Sequence, residues 1–274
     1  SLDPATGEFQ VLLHGTRTGD QVVATADEVV IDLSNISEIV RGVRLHHIDA
    51  LITVGGDGSL AIASVLAKKG LRLISVPKTI DNDLDKTEVT FGFDTAVGFA
   101  TEALDRLHST AASHGRVMVV EVMGRYAGWI ALHSGVAGSA DVILIPEHPY
   151  DIHKVVEKIK EREARGNKFT IVVVAEGATP MGGGVSVVEH EAGRAERLGG
   201  IGEKVAAEIH AISGKETRVV VLGHLLRGGS PTSYDRLIAL RFGAAAVRGL
   251  EEGQGGVMVA LDPPHVKYVP IEEA

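Results

Sequence analysis

The sequence predicts an α/β fold in which mostly parallel sheets are flanked by helices. Short apolar runs rich in Val and Ile alternate along the chain with longer segments of helical periodicity, as parallel strands joined by helices require. With 274 residues, 45% of them hydrophobic, the chain is long enough for one large domain or two ordinary ones with a sizeable core. Polar motifs follow several of the apolar runs. Since ligands of such folds bind at the carboxyl ends of strands, these motifs are the candidates for function.

Composition excludes several classes of protein. The chain has no Cys, which rules out disulfides and thiolate chemistry. Its net charge of −9 argues against a general nucleic-acid binder. No apolar run approaches the length of a membrane span, and nothing resembles a signal peptide. We therefore expect a cytoplasmic protein without nucleic-acid or membrane partners.

The elements are predicted most weakly at the start of the chain. Residues 9–13 and 21–26 are predicted to be short strands around a turn at 14–19, and residues 36–44 a helix. From there on strands and helices alternate. The predicted strands cover 48–54, 71–76, 116–122, 141–145, 169–175, 218–222 and 257–261. The predicted helices cover 60–69, 93–107, 126–135, 151–165, 201–212 and 233–248, with a long loop or hairpin at 178–200.

The first polar motif, GGDGS at residues 55–59, follows the run 48–54, which is predicted to be a buried parallel strand. A Gly-rich turn between a strand and a helix brings bare backbone N–H groups up to a phosphate, and the helix N-terminus adds partial positive charge. Asp57 in this turn could hold Mg²⁺ directly or through water. Taken alone, the motif fits a tight turn equally well.

The second motif, PKTIDND at residues 77–83, follows the next predicted strand. If it is extended, Thr79, Asp81 and Asp83 lie on one side and the residues between them on the other. A hydroxyl and two carboxylates suit phosphoryl transfer, because one carboxylate accepts the proton of the acceptor while another helps to hold a metal. By itself the acidic part of this motif also fits a solvated turn.

Further polar residues stand at the borders of the later strands. Arg116 and Arg218 begin their strands, so that they lie at the opposite edge of the sheet, where a symmetric oligomer can meet a neighbour's site. Arg227 is followed by two glycines, which leave room for a ligand beside its guanidinium group. The residues that follow strand ends are Met123, Gly124, Arg125, Glu176, His224 and Arg227.

Several of these residues also have a purely structural explanation. His224 fits a hydrogen-bonded histidine of the core, and Glu176 a solvated loop residue. Arg125 fits a cap or a surface ion pair. The functional interpretation therefore depends on the whole set standing at strand ends of one sheet, and no single residue carries it.

Together, the motifs resemble the 6-phosphofructokinase family. The matching segments are GGDGS at 55–59, PKTIDND at 77–83, EVMGR at 121–125 and LGHLLRGGSP at 222–231, all in the family's order. The resemblance covers roughly residues 49–261. It implies the phosphofructokinase fold with two Rossmann-like lobes: a nucleotide- and Mg-binding lobe of 1–92 and 226–262, and a sugar-phosphate-binding lobe of 93–225 and 263–274.

The resemblance also implies an activity and its residues. The expected reaction is glycolytic transfer of a phosphoryl group from ATP to the 1-hydroxyl of fructose 6-phosphate, with Mg²⁺ as cofactor and a homodimer or homotetramer with shared active sites. Asp81 is implied to be the catalytic base, with Thr79 and Arg125 at the transferring phosphate, and the metal ligands are Asp57 and Asp83. The implied nucleotide-binding residues are Gly56, Asp57, Gly58, Ser59 and Lys78. The implied sugar-phosphate ligands are Met123, Gly124, Arg125, Glu176, His224 and Arg227, joined by Arg116 and Arg218 of an adjacent subunit.

Two departures from the family pattern lead us to expect an incomplete sequence. The family's opening strand with its Gly-rich loop has no counterpart, and the C-terminus stops short of the family's usual end. Arg17 is matched only loosely to a nucleotide-contacting arginine. Since effector sites draw on the missing parts, regulation cannot be deduced from the sequence.

Two alternatives to ATP-dependent transfer remain open at this point, and the first is transfer of the phosphoryl group from pyrophosphate. Pyrophosphate-dependent members typically carry Asp where this chain has Gly58, which favours ATP, whereas Lys78 occurs in pyrophosphate-dependent members and in some ATP-dependent ones. A non-catalytic subunit or sugar-phosphate-binding module is the second alternative. A lipid or NAD kinase would explain the first motif but not the second, nor the segment from His224 to Arg227.

Overall fold

The structure, a computed structural model, describes residues 13–18, 21–26, 36–189 and 197–274, and the side chains within 36–186 and 198–274. The strands in this part of the chain are β1 (Leu13–Thr18), β2 (Gln21–Ala26), β3 (Leu51–Gly55), β4 (Leu73–Thr79), β5 (Phe91–Gly92), β6 (Val117–Val122), β7 (Val142–Leu144), β8 (Thr170–Ala175), β9 (Val187–Glu189), β10 (Arg197–Leu198), β11 (Thr217–Val221), β12 (Val257–Asp262) and β13 (His265–Pro270). The helices are α1 (Ile36–Leu45), α2 (Asp57–Lys68), α3 (Phe93–His114), α4 (Trp129–Ala137), α5 (Ile152–Ala164), α6 (Ile201–Ser213) and α7 (Ser233–Glu251).

The described residues divide into two compact units. Unit 1 comprises the described part of Ser1–Pro77 together with Leu84–Glu88 and Leu240–Ala274, and unit 2 comprises Lys78–Asp83 and Val89–Ala239. The lobes predicted from the sequence differ from these units at residues 78–83, 89–92, 226–239 and 263–274. Residues 265–270 fall in unit 1 because β13 pairs antiparallel with β12. The division into units identifies no ligand, so the assignment of the nucleotide to one lobe and the sugar phosphate to the other stays a prediction.

Unit 1 is built on a sheet with the strand order β13-β12-β4-β3. The pairs β12–β4 and β3–β4 are parallel, as the sequence predicts, and only β13 runs antiparallel. Helices α1 and α2 contribute Val40, Leu60 and Leu66 to one buried cluster with Leu73 of β4 and Met258 of β12. The apolar face of α2 is thereby fixed against the strands, which orients its N-terminus at the end of β3.

Unit 2 is built on a wholly parallel sheet with the order β11-β6-β8-β7. All residues of β6 and β8 are buried, as is typical of central strands covered on both faces. Helices α5 and α6 contribute Val156, Ile159 and Ile209 to a buried cluster with Val119 of β6 and Val172 of β8. The carboxyl ends of these strands carry the motifs of the candidate site.

Most elements predicted from residue 36 onward are confirmed within a few residues of their predicted ends. The turn predicted at 14–19 is wrong, because residues 13–18 form β1, which pairs antiparallel with β2 up to the pair Thr18 and Gln21. The strand predicted at 9–13 lies outside the described residues except for Leu13. Strand β13 was not predicted.

Strand β3 also differs from its prediction as a buried strand. Ile52 and Val54 are 40% and 54% exposed. Within the described part of the chain, β3 pairs with β4 alone, so it has one neighbour and one open edge. The apolar sequence correctly predicts that this segment is a strand. How much of the strand is buried depends on its position at the end of the sheet.

Candidate active site

The end of β4 places Asp81 in a buried position within unit 2. The backbone N–H of Asp81 donates to Thr79 Oγ1 at 3.1 Å, and the Thr79 hydroxyl donates to Asp81 Oδ2 at 3.4 Å. The other oxygen, Oδ1, is buried and has no hydrogen-bond partner among the described residues. The two side chains predicted to share one side of the segment are thus in contact, and one carboxylate oxygen stands ready for a further proton donor.

Asn82 faces away from this pair and holds the loop in place. Its Oδ1 accepts hydrogen bonds from the Thr90 backbone N–H at 2.7 Å and from the Thr90 hydroxyl at 3.2 Å. The Thr90 hydroxyl also donates to the Thr79 carbonyl at 2.9 Å. Asn82 takes a left-handed backbone conformation, with φ of 53°, so the segment is not extended throughout as the prediction assumed.

The environment of Asp81 suits a general base. Burial raises the pKa of Asp81 above its ordinary value of 3.8, while the positive charges of Arg227 and Arg125 and the hydrogen bond from Thr79 act against that rise. A carboxylate with a raised pKa is a better proton acceptor than a solvated one, and the two arginines limit the rise. A solvated turn is therefore excluded for Asp81, which is 6% exposed.

The turn after β6 is shaped by Glu176. Glu176 Oε1 accepts from the backbone N–H groups of Gly124 at 3.2 Å and Arg125 at 2.8 Å. Arg125 has a positive φ of 50°, and its guanidinium carbon lies 5.8 Å from the ring centroid of Tyr126. Glu176 is buried, so the solvated-loop explanation fails for it. Burial raises the pKa of Glu176, although the two backbone hydrogen bonds oppose the change.

Three further sugar-phosphate candidates of unit 2 follow the carboxyl ends of its strands. Met123 is half-buried at the end of β6, and His224 and Arg227 lie exposed in the 3-10 turn Gly223–Arg227, which follows β11. Because His224 is exposed, the alternative explanation of this residue as a hydrogen-bonded histidine of the core is excluded. The charge of Arg227 lowers the pKa of Asp81, so these two predicted site residues lie close enough to interact electrostatically.

Arg116 and Arg218 meet at a single carboxylate. Arg116 Nε lies 3.0 Å from Glu216 Oε1, and Arg218 Nη2 lies 2.6 Å from the same oxygen. The first contact is an ion pair without hydrogen-bond geometry, because Arg116 Nε has no hydrogen-bond partner. Both arginines stand at the starts of β6 and β11, as predicted, and not with Asp81. Their common partner Glu216 gave no signal in the sequence.

In unit 1, the GGDGS motif forms the junction of β3 and α2. Gly56 is the N-cap of α2 and has no side chain that could cap the helix, an arrangement that suits the binding of an anion at the first-turn N–H groups. Asp57 is the first residue of the helix, and not part of the turn before it as predicted. The Ser59 side chain lies over Gly55, where a Cβ would come within 2.3 Å of Ser59 Oγ.

The remaining candidates are exposed polar residues. Asp57, Gly58, Lys78 and Asp83 are all exposed. In the described part of the chain, no three His, Cys, Asp or Glu side chains form a cluster that could hold a metal ion. Nor is any described helix of sufficient length and apolarity to cross a membrane.

The fold and the site define the class of this protein as an α/β phosphotransferase. Strand ends in unit 2 bring together a buried carboxylate, a hydroxyl and two arginines, which is the equipment for moving a proton and stabilising a transferring phosphate. The Thr90 and Asn82 contacts that fix this arrangement were missed by sequence reasoning, since a buried threonine eight residues away leaves no periodic pattern.

Comparison with known proteins identifies the family. The sequence profile described as phosphofructokinase matches residues 13–250. The ATP-dependent 6-phosphofructokinase of Chloroflexus aggregans is 54% identical over 260 residues, which are 95% of this chain and 69% of that protein. The pyrophosphate–fructose 6-phosphate 1-phosphotransferase of Amycolatopsis mediterranei is 54% identical over 83% of this chain and 67% of its own length. The chain belongs to the phosphofructokinase family.

The solved structures agree with the fold. The crystal structure of Pichia pastoris phosphofructokinase in the T-state superposes with a TM-score of 0.78 at 30% identity, covering 89% of this chain and 28% of that one. The predicted α/β architecture of parallel sheets flanked by helices is confirmed.

Proposed function

We propose that this chain is an ATP-dependent 6-phosphofructokinase in which Asp81 is the general base. The observation that carries the proposal is the buried Asp81 carboxylate, whose Oδ1 has no partner and whose charge is supported by Arg227 and Arg125. The chain transfers a phosphoryl group from ATP to the 1-hydroxyl of fructose 6-phosphate. A sugar hydroxyl placed at Oδ1 satisfies the orphaned oxygen and gives up its proton to it.

The reaction needs little covalent chemistry from the protein. As the hydroxyl proton moves to Asp81, the sugar oxygen forms its bond to phosphorus while the bond from phosphorus to the ADP oxygen breaks. The Arg125 guanidinium and the Thr79 hydroxyl stabilise the charge on the transferring group. Because Asn82 and Thr90 fix the loop, Asp81 is positioned before the substrate arrives.

The acceptor is held by the turns that follow β6 and β11. His224 and Arg227 are assigned to the 6-phosphate, since a cation in an exposed turn can reach a dianion without an uncompensated buried charge. Met123, Gly124 and Arg125 are assigned to the sugar, with Glu176 holding the backbone of that turn in shape.

The test of the base is Asp81→Asn, which keeps the shape of the side chain but removes its basicity. We expect kcat to fall by about 10²–10⁴-fold, the usual contribution of a general base. Calorimetric affinity for fructose 6-phosphate should change little. The matched control is Asp85→Asn, an exposed carboxylate nearby in sequence. A variant at position 81 with near-normal kcat would remove this residue from the base role.

Mg²⁺ is proposed as the cofactor, with Asp57 and Asp83 as its carboxylates. Each is an exposed carboxylate, and Mg²⁺ is typically bound by one or two carboxylates together with substrate phosphates, so the chemistry of each residue suits the ion. When bound, the ion neutralises charge on the donor phosphates. We expect Asp57→Asn and Asp83→Asn each to raise the Mg²⁺ concentration needed for half-maximal rate, whereas Asp85→Asn should leave it unchanged.

The donor is assigned from Gly58. A Cβ added there would meet nothing within 4 Å, so packing does not require glycine, and the space beside the α2 N-terminus is open for a nucleotide. Pyrophosphate is the second candidate donor, favoured by Lys78 and by the Amycolatopsis relative of equal identity. A carboxylate at position 58 would repel the α-phosphate of ATP and take its space, whereas the ammonium group of Lys78 is compatible with either donor. Because position 58 is glycine, we choose ATP as the donor.

Gly58→Asp tests this assignment against Gly58→Ala. The aspartate should lower kcat/KM with ATP far more than with pyrophosphate, because only the nucleotide needs that space. The alanine separates charge from bulk and should cost less with ATP. If the wild type has the higher kcat/KM with pyrophosphate at matched fructose 6-phosphate, the donor assignment is wrong.

A homo-oligomer with shared sites is proposed from the position of Arg116 and Arg218 at the starts of their strands. Because the other sugar-phosphate residues stand at strand ends, these two arginines are assigned to a neighbour's site. Mixing Asp81→Asn subunits with Arg116→Ala subunits should restore part of the activity. If mixed oligomers, verified by mass, show no rescue, each site is built from one chain.

A further inference from the structure

Helices α3 and α7 begin against one another within unit 2. Gly92, the N-cap of α3, makes no side-chain capping bond. That function is taken by Asp235 in the first turn of α7, whose Oδ2 accepts from the Thr95 backbone N–H at 2.8 Å and also from the Thr95 hydroxyl. A residue 140 positions away in sequence thus caps α3.

The capping is reciprocal. The Thr232 backbone N–H donates to Thr95 Oγ1 at 3.1 Å, and the Thr232 hydroxyl donates to Asp94 Oδ2 at 2.6 Å. The Asp235 backbone N–H in turn donates to Thr232 Oγ1 at 3.2 Å. The Thr95 hydroxyl therefore donates to one helix terminus and accepts from the segment that leads into it.

The burial of Asp235 shows that the arrangement is more than local capping. Asp235 is 2% exposed, and its buried Oδ1 has no hydrogen-bond partner in the part of the chain that the structure describes. A carboxylate in that position costs stability unless its bonds are well made, and a neutral residue would suffice to fill the space. Thr232 already supplies a capping oxygen for α7, so α7 itself does not need Asp235.

The two helix termini lead to the two halves of the candidate site. Thr95 stands five residues after Thr90, whose hydrogen bonds to Asn82 and to the Thr79 carbonyl fix the loop of Asp81. Thr232 stands five residues after Arg227. A tie between Thr95 and Thr232 is consequently a tie between the base and the turn assigned to the 6-phosphate.

We propose that Asp235 and Thr95 are positioning residues that hold the Arg227 turn in register with the Asp81 loop, and thereby set the affinity for the sugar phosphate. The inference rests on the proposed function and adds to it residues that touch no substrate.

The decisive variant is Thr95→Val, which keeps the volume and removes the hydroxyl that joins the two termini. We expect the KM for fructose 6-phosphate to rise about tenfold, the effect of losing roughly one net hydrogen bond, with a smaller change in kcat. Thr95→Ser restores the hydroxyl and should restore the KM. Thr101→Val is the control, since its hydroxyl donates only to the Val97 carbonyl of the same helix, and should leave the KM unchanged.

The thermal midpoint separates positioning from a loss of stability. In Thr95→Val the KM for fructose 6-phosphate should rise even at temperatures well below the unfolding transition, and in Thr101→Val it should stay in place. A merely structural Thr95 would lower the thermal midpoint while leaving the KM where it is, which would overturn the inference.

Amide hydrogen exchange tests the tie without turnover. Residues 93–97 and 223–232 should both lose protection in Thr95→Val and in Asp235→Asn, but not in Thr101→Val. If the wild type neither binds nor phosphorylates fructose 6-phosphate, the proposed function fails and the exchange result still decides whether the two segments are coupled. Unchanged protection of 223–232 in Thr95→Val would refute the coupling.

Discussion

Two strand-to-helix turns in this protein contain several glycines, but for different reasons. In the turn between β6 and α4, a Cβ on Gly124 would come within 2.4 Å of the Ala127 carbonyl oxygen, and one on Gly128 within 2.4 Å of Ile145 Cβ. At the junction of β3 and α2, a Cβ on Gly55 would come within 2.3 Å of Ser59 Oγ, whereas one on Gly58, in the first turn of α2, would meet nothing within 4 Å. Packing therefore requires glycine at positions 124 and 128 of the first turn, whereas at the second junction it leaves position 58 open.

The difference follows from what surrounds each turn. The first is held from the side by the Glu176 carboxylate, and Gly177 beside it also has no room for a Cβ, which would lie 2.1 Å from the Arg125 carbonyl oxygen. The second ends in a helix whose N-cap has no side-chain partner. The turn that we propose holds the sugar is filled by protein, whereas position 58 of the segment that we propose binds donor phosphates is open.

The largest effect in this comparison is expected for Gly124→Ala. Position 124 has a φ of 147°, which L-residues rarely adopt, and the added methyl must displace the Ala127 carbonyl. We expect stability to fall by about 2–4 kcal/mol and kcat/KM for fructose 6-phosphate to fall about 10²-fold. Denaturant unfolding and steady-state kinetics measure the two effects. Near-normal values in both would show that the turn is less tightly held than its contacts indicate.

An intermediate effect is expected for Glu176→Gln, which keeps an acceptor for the two amides but removes the charge. We expect kcat/KM to fall about tenfold, since hydrogen bonds to a charged group are roughly twice as strong as neutral ones. Burial raises the pKa of Glu176 in the folded state above its ordinary value of 4.5. The stability contributed by its protonated form is therefore fully present below pH 4.5 and is lost as the pH rises through the raised value.

The raised pKa of Glu176 also predicts how the stability difference between wild type and Glu176→Gln changes with pH. Since glutamine does not titrate, the stability of wild type relative to Glu176→Gln should decrease as the pH is raised from 4 toward neutrality. Urea unfolding of both proteins across this range measures the difference. A difference that grows with pH would mean that the two backbone hydrogen bonds outweigh the burial of the charge.

The smallest effect is expected for Gly58→Ala. Alanine is favoured over glycine in a helix by up to about 1 kcal/mol, and the site is open, so stability should rise by no more than that amount. Gly243→Ala in α7 is the control, because a Cβ there also meets nothing within 4 Å. Gly243→Ala should give the same gain without a change in KM for ATP, whereas Gly58→Ala should raise that KM slightly. A loss of stability at position 58 alone would contradict the open turn.

The sequence by itself determined most of the elements from residue 36 onward and the motifs that stand at their ends. The buried run of β8 and the helix α5, whose N-cap Asp151 accepts from the His153 backbone N–H at 2.9 Å, follow from patterns contained within a few residues. Asp81, Arg125, Glu176 and Arg227 were predicted because a parallel sheet gathers the residues that follow its strands.

Only the tertiary structure decided how those residues are held and how far each is buried. Ile52 and Val54 are apolar but exposed, because the burial of a strand depends on its neighbours in the sheet. The sequence did not predict the ion pairs of Glu216 with Arg116 and Arg218, nor the hydrogen bond that Asp235 accepts from Thr95. The contacts of Arg116 and Thr95 join polar side chains that are remote from one another in sequence. Local propensity and periodicity act over a few residues, whereas hydrogen bonds across the chain depend on where the fold brings distant segments.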